Sequence, residues 1–272
     1  MNDELLLSRH IGIEFMKDLE LEKNLTIAIE AARRGQAVFE QNKDEFRQIV
    51  STSGRELKVN IDFVLENAIL EELQTLSKIS ILSEESKHIW EDGLWWIVDP
   101  LDGSVNWLRG IPVFSVSIGL YRGLEPILGV VLDLDRDELF CGAVGLGAWM
   151  NDEPISVSKV TQQQEAVLCT GFPASFEFCL ARQDSLESTY ARYLKIRMLG
   201  SAAMSLAYVA CGKVDIYWEE KVKFWDIAAG VALAQAAGGR VLLSEISDDF
   251  SLSAAVAASP ELLIKADSRQ VN

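Results

Sequence analysis

Histidine is almost absent from this chain: among 272 residues only His10 and His88 occur, far apart and without metal-ligand spacing. Both are expected at the surface, which argues against an imidazole base and against zinc held by imidazoles. Cysteine is scarce too. Cys141, Cys169, Cys179 and Cys211 form no C-x-x-C pair, which fits reduced, packed thiols better than a disulfide framework or a zinc site. The sixth residues after them are Gly147, Ser175, Ser185 and Tyr217, so the C-x5-R loop of cysteine-dependent phosphatases is missing. No apolar run approaches the roughly 18 residues of a membrane span, stretches such as LWWIV and ILGVVL being far shorter. No charged-then-apolar export signal opens the chain, and the expected setting is cytoplasmic, away from any membrane.

Basic residues are also outnumbered. Lys and Arg total 25 against 41 Asp and Glu, a formal net charge of -16. Nonspecific nucleic-acid binding relies on Lys and Arg releasing counterions from phosphates, so this balance argues against nucleic acid as a partner. Most of the carboxylates serve solubility. Carboxylates grouped at strand ends can instead hold hard divalent cations and let an anionic substrate approach.

What is present is a large core and a mixed pattern of elements. Apolar residues make up 49% of the chain, enough for one sizeable core or two modest lobes. Residues 19 to 48 carry helical periodicity through Leu21, Leu25, Ala28, Ile29 and Ala32, and a second helix is expected from Asp62 to Leu76. From Ile79 the pattern turns to strands: ISIL, LWWIV, FSVSIGLY, ILGVVLD, ELFCGAV and later VLCTGF. Two small-residue helices follow, Ser201 to Cys211 closed by Gly212 and Asp226 to Ala237 closed by Gly238 and Gly239. The alternation predicts a layered α/β sandwich with a soft division near Ser158.

The acidic run Asp133-Leu134-Asp135-Arg136-Asp137 is similar to a calcium loop and to an aspartate-nucleophile motif. The calcium loop fails at its sixth and twelfth positions, Glu138 and Val144, and the nucleophile motif fails at Asp137. A charged hairpin turn is the simpler expectation. WWIVDPLDGSVNW is more specific. LWWIV reads as a strand buried on both faces, so Asp99 emerges at its C-terminal end, where α/β folds place ligands. Asp102 is expected to cap a following helix, with the Gly103 and Ser104 N–H groups offered to an anion. ILSEES ends a strand with Glu84 and Glu85; KFWDIAAG puts Asp226 at a helix start. Each has a plainer explanation, as surface glutamates or an N-cap aspartate.

Together these segments resemble the inositol monophosphatase family, whose metal sites combine a G-E-E-type segment, D-P-[IL]-D-G-[ST] and a distant W-D. The resemblance runs from about Leu57 to Ala258, through ELKVNID, SEES, WIVDPLDGSVNW with PVFSVSIGL, GLGAWMNDEPISVS, RMLGSAAMSLAYVACGKVD and KFWDIAAGVALAQAAGG. It implies the α-β-α-β-α sandwich of the sugar phosphatases and a homodimer. An N-terminal lobe, residues 1–158, would carry the main metal motifs; residues 159–272 would complete the site within one structural unit. It implies lithium-sensitive hydrolysis of a small-molecule phosphate monoester, an inositol, polyol or sugar phosphate, with two or three Mg2+ ions.

By the same resemblance Glu84, Asp99 and the Leu101 carbonyl hold one ion, and Asp99, Asp102 and Asp226 a second. Glu84 and Ser104 orient the attacking water, with Asp62 holding the Ser104 hydroxyl. Asp102, Gly103 and Ser104 meet the phosphate end. Gly200, Ser201, Ala202, Glu219 and Asp226 meet the rest of the substrate. Ser83 departs from the family's glycine, Ser104 from its commoner threonine, and Ser51 stands near a position often held by lysine. These departures, with the GFP segment at Gly171, leave the substrate open. A 3'(2'),5'-bisphosphate nucleotidase is the enzyme alternative, against which Val105-Asn106-Trp107 replaces the Lys-Glu-Phe usual there. A regulatory member acting through RNA or transcription machinery is the other.

Overall fold

The computed structural model describes residues 3–45, 49–53, 56–84, 93–172 and 191–267. Two helices, α1 (Asp3–Asn42) and α2 (Asn60–Leu76), flank a short antiparallel hairpin of β1 (Ile49–Ser53) and β2 (Glu56–Val59). A seven-stranded sheet follows in the order β3-β4-β5-β6-β7-β8-β9. Its strands are β3 (Ser80–Ser83), β4 (Leu94–Asp102), β5 (Ser115–Arg122), β6 (Glu125–Asp133), β7 (Glu138–Ala143), β8 (Gly147–Met150) and β9 (Glu153–Ile155). Only β3 and β4 run parallel; the other neighbours are antiparallel.

The second sheet has five strands in the order β11-β10-β12-β14-β13. They are β10 (Val167–Thr170), β11 (Lys195–Arg197), β12 (Ile216–Lys223), β13 (Arg240–Leu243) and β14 (Ser251–Ala257). The helices are α3 (Ser104–Arg109), α4 (Ala202–Ala210), α5 (Phe224–Ala236) and α6 (Pro260–Asp267).

Strand alternation sorts these elements into five layers. Along β4, Trp96 and Val98 face a core shared with Ala28, Ala31 and Ile69 of α1 and α2. Trp95 and Ile97 face the opposite core, with Leu206 of α4 and Ile227 and Val231 of α5. The five-stranded sheet closes that core through Cys169, Tyr217 and Val256, and its outer face packs Leu168, Ile216 and Ala257 against Leu262 of α6. The result is the α-β-α-β-α sandwich anticipated from the sequence.

The expected elements were right in kind and off at their ends. The first helix stops at Asn42 instead of residue 48. Residues 43–45 form a turn, and 46–48 lie outside the described residues. The second begins two residues early, at Asn60. Strands β1, β2, β8, β9, β11, β12, β13 and β14 were not anticipated; most are short or small-residue segments, and β12 carries a charged run, Glu219-Glu220-Lys221, in its middle. The Asp133–Asp137 run is the β6–β7 turn, with Asp137 in the left-handed region at φ 54°.

The middle layer sits unusually close to the first sheet. Gly119 and Gly129 face each other across β5 and β6, and α5 lies directly on them. A Cβ added at Gly129 would stand 2.0 Å from the Ala229 carbonyl oxygen. The Tyr121 hydroxyl donates to the Ala228 carbonyl at 2.8 Å and ties the same turn of helix to β5. Gly230, in turn, leaves room for Leu206 of α4.

Overpacking a closed interface typically costs about 1–3 kcal/mol, and about 2–4 °C of melting temperature goes with each kcal/mol in a domain of this size class. Gly129→Ala is therefore expected to lower the thermal midpoint by several degrees, read by circular dichroism. A variant that melts with the wild type would mean that α5 is not held at this distance.

Candidate active site

Asp99 and Asp102 are three residues apart, a spacing that puts side chains on opposite faces of a regular strand. In β4 it does not. Asp99 pairs with Ser117 and Asp102 with Ser115, so two residues, Pro100 and Leu101, stand opposite the single Val116. This bulge returns Asp102 to the face of Asp99, because Ser115 and Ser117 share a face. Both aspartates then look toward the layer that contains α4 and α5. Glu84 joins them from the end of β3, where its N–H donates to the Val98 carbonyl at 3.2 Å. Asp226 comes from the first turn of α5.

These four carboxylates share one electrostatic environment. Burial pushes the Asp99 carboxyl well above the usual carboxylate range, and Glu84, Asp102 and Asp226 push it further. Asp226 is raised in the same way, by burial, then Glu84 and Asp102. Asp102 rises only to about 6, because burial is opposed by hydrogen bonds to it. Its carboxylate accepts from the Ser201 hydroxyl and from the N–H groups of Ala202 at 3.2 Å and Ala203 at 3.0 Å. The expected role of Asp102 as cap of α3 is thus corrected: Gly103, at φ 85°, is the N-cap there, with no side-chain hydrogen bond. Asp102 serves the start of α4, whose exposed N–H groups and dipole favour a negative charge.

Asp226 is likewise not an N-cap. Lys223 holds that position, and Asp226 is the third residue of α5. The donor set is oxygen only, the type that suits hard divalent cations. Among the described residues no three His, Cys, Asp or Glu side chains stand as a closed ligand group, Asp102 being turned to α4.

A cavity of about 520 Å³ opens beside the carboxylates. Asp102, Gly200, Ser201, Ala202, Glu219 and Asp226 line it, so six of the sequence-derived site residues meet there. Glu219 reaches it through a second bulge: Glu219 pairs with Ala254 and Val222 with Leu252, which brings both onto one face, and both line the cavity. The Tyr217 hydroxyl donates to Glu219 Oε2 at 2.8 Å. Burial raises the Glu219 carboxyl to about 7 against that hydrogen bond. Gly171 lies under the same carboxylate, and a Cβ there would come within 2.5 Å of Glu219 Oε2.

The remaining predicted residues are placed by their own elements and do not line this cavity. Asp62 is buried in the first turn of α2, Leu101 is buried within the bulge, and Ser104 opens α3 behind Gly103. Sequence inspection missed Asn106, a buried amide whose Nδ2 donates to the Val113 and Leu199 carbonyls at 2.8 and 2.7 Å. It fastens α3 to the Gly200 turn, where φ is 73°. Thr170, Phe172, Met198 and Ser205 on the cavity wall were missed as well. Their only signal was proximity to motifs already noted. Ser51 lies in β1; Glu85, His88 and Cys179 lie outside the described residues. Cys141, Cys169 and Cys211 are free thiols, and burial raises the first two to about 11.

No helix among the described residues is long and apolar enough to cross a membrane. The chain is 36% identical over 221 residues to the protein named Nus factor SuhB in Xylella fastidiosa, covering 80% of each. It is 37% identical over 193 residues to an inositol-1-monophosphatase of Mesorhizobium japonicum, covering 69% of this chain and 68% of that one. The solved inositol monophosphatase of Anabaena superposes with a TM-score of 0.76 at 32% identity, over 92% of this chain and 97% of that one. The charge-based expectation against nucleic acid finds no support in relatives named as Nus factors. The inositol monophosphatase family model matches residues 20–270, and the chain belongs to that family.

Proposed function

We propose that this protein is an Mg2+-dependent phosphate monoester hydrolase acting on a polyol or sugar phosphate. The family is generally metal-dependent and its members act on phosphate esters. One observation carries the reading furthest: Glu84, Asp99, Asp102 and Asp226 are gathered where burial and mutual repulsion hold the Asp99 and Asp226 carboxyls well above their ordinary range. Such a cluster demands positive charge. In this reading Glu84, Asp99 and the Leu101 carbonyl hold one ion, and Asp99, Asp102 and Asp226 another. When bound, the ions supply the positive charge that draws in the phosphate and makes water a nucleophile near neutral pH.

The chain's own groups do the rest. Ser104, with Asp62 behind it, and Glu84 orient the water; the Gly103 and Ser104 N–H groups face the phosphate. Glu219 accepts hydrogen bonds from the hydroxyls of the alcohol, kept in place by Tyr217 and seated on Gly171. The cytoplasmic setting, the homodimer and the lithium sensitivity belong to the same reading. A second reading, action through a protein or RNA partner, is favoured by the relatives named as Nus factors.

Asp99→Asn removes a charge that two ions would share and is expected to abolish phosphate release while leaving the circular-dichroism spectrum unchanged. Wild-type protein stripped with EDTA should be inactive and recover with Mg2+. Retention of half the turnover by Asp99→Asn would overturn the ligand assignment. No release from any sugar, polyol or nucleotide phosphate would leave the partner-binding reading.

Glu219→Ala should lower kcat/KM for the preferred polyol phosphate by about tenfold to a hundredfold, the equivalent of one hydrogen bond to a charged group. Hydrolysis of p-nitrophenyl phosphate, which carries no hydroxyls, should hardly change. Equal losses on both substrates would place Glu219 in the chemistry or the fold.

Carboxyls raised on folding bind more protons in the folded than in the unfolded chain. Asp102 rises to about 6 and Glu219 to about 7. Stability of the metal-free protein should therefore fall as pH rises from the ordinary carboxylate range through about 7. Melting curves in EDTA should show a lower midpoint at about pH 8 than at about pH 5. Glu219→Gln removes one of the groups and should flatten the fall; an unchanged slope would mean that Glu219 does not titrate there.

A further inference from the structure

Ser115 and Ser117 of β5 are completely buried, and their hydroxyls have no hydrogen-bond partner among the described residues. A buried hydroxyl without a partner keeps the full cost of its desolvation. Two such groups, spaced two apart on one strand, therefore need a physical reason. Ser117 stands directly opposite Asp99, and Ser115 opposite Asp102. Residues opposite one another on adjacent antiparallel strands project to the same face with Cβ atoms about 4.5–5.5 Å apart. The two hydroxyls thus lie beneath the two carboxylates that the bulge brings together.

The carboxylates themselves are engaged elsewhere. Asp99 Oδ1 accepts from the Leu101 N–H at 3.0 Å, and Asp102 is taken up by Ser201, Ala202 and Ala203. On its other side Ser115 faces Asp133 of β6. That carboxylate is satisfied by the N–H groups of Asp135 and Arg136 and by the Arg136 guanidinium. No other strand neighbour offers these hydroxyls an acceptor: Ser117 pairs with Val131 across β6.

We propose that Ser117 and Ser115 are positioning residues that donate to the Asp99 and Asp102 carboxylates when these turn to a divalent cation. The inference rests on the metal-dependent reading above. A hydroxyl donating to a ligating carboxylate occupies one lone pair and fixes the plane of the carboxyl group, leaving the other lone pairs for cations. It would also offset, in the loaded protein, the desolvation that the same hydroxyl suffers without one. Ser83 supplies an internal comparison. Its hydroxyl is equally buried and equally without a partner among the described residues, but it pairs with Val98, whose side chain faces the α1–α2 core.

The test uses the full chain and two readouts besides activity. Mg2+ titrations of wild type, Ser117→Ala, Ser115→Ala and Ser83→Ala are followed by calorimetry, and melting is measured in EDTA. Loss of a group that orients a metal ligand commonly weakens metal affinity by about 10–100-fold. The titration midpoints of Ser117→Ala and Ser115→Ala should rise by that factor, while their EDTA melting points stay level or rise. Ser117→Thr, which keeps a hydroxyl, should recover part of the affinity, and Ser83→Ala should titrate as the wild type does. Wild-type midpoints in Ser117→Ala and Ser115→Ala, or an equal loss in Ser83→Ala, would overturn the inference while leaving the metal site standing. A wild type that binds no Mg2+ would overturn the metal-dependent reading and this inference with it.

Discussion

Burying Asp99 beside three other carboxylates is the constraint on which the surrounding architecture turns. A carboxylate out of water is costly, and like charges at short range raise that cost, so such a group stays ionised only when hydrogen bonds or cations face it. The chain meets part of the cost itself. Asp102 takes the first N–H groups of α4, and its smaller rise reflects this. Among the described residues Asp99 takes the Leu101 N–H within its own bulge, faces three other carboxylates, and rises further. The difference between two aspartates three residues apart is thus a difference in donors and in neighbouring charge. It marks Asp99 as the group most in need of an external positive charge.

Convergence of these groups depends on two bulges and one close approach. The bulge at Pro100-Leu101 turns a spacing of three into a shared face, and the bulge after Glu219 does the same for Glu219 and Val222. The glycines under α5 set its depth, and with it the depth of Asp226. Asn106 and Asp102 then fasten α3 and α4 to the same corner. Residues far apart in the chain reach one cleft because backbone irregularities, rather than flexible side chains, aim them. Backbone positions fixed in this way leave only side-chain rotation, such as that of Asp102 away from α4, to be made when a ligand arrives.

Much of this was legible in the sequence, for identifiable reasons. LWWIV alternates between two cores, so its burial on both faces and the emergence of Asp99 at its end could be read directly. The small-residue runs Ser201 to Cys211 and Asp226 to Ala237 announced two helices, and the spaced acidic segments suggested carboxylates brought together for a cation. The destination of Asp102 was not legible. An aspartate before Gly-Ser reads as a local cap, and only tertiary structure brings the start of α4 within its reach. Asn106 escaped for the same reason: its acceptors are seven and 93 residues away. Local rules assign a polar side chain to its nearest free donor or acceptor, and they fail where a distant one is held in better geometry.

The same logic separates what the family resemblance carries from what belongs to this chain. The clustered carboxylates, the bulge and the seat of Glu219 on Gly171 are set by backbone geometry. The outer wall is different. Phe172 and Met198 also line the cavity, and Met198 is 54% exposed. An exposed methionine adapts its shape to what it touches and carries no charge or hydrogen-bond pattern to read. In the proposed hydrolase reading, discrimination among phosphate esters would rest on the wall where Glu219 is held by Tyr217 and fixed over Gly171. Under that reading, a site rigid at its polar end and adaptable at its apolar end would distinguish hydroxyls near the phosphate closely and tolerate variation farther out.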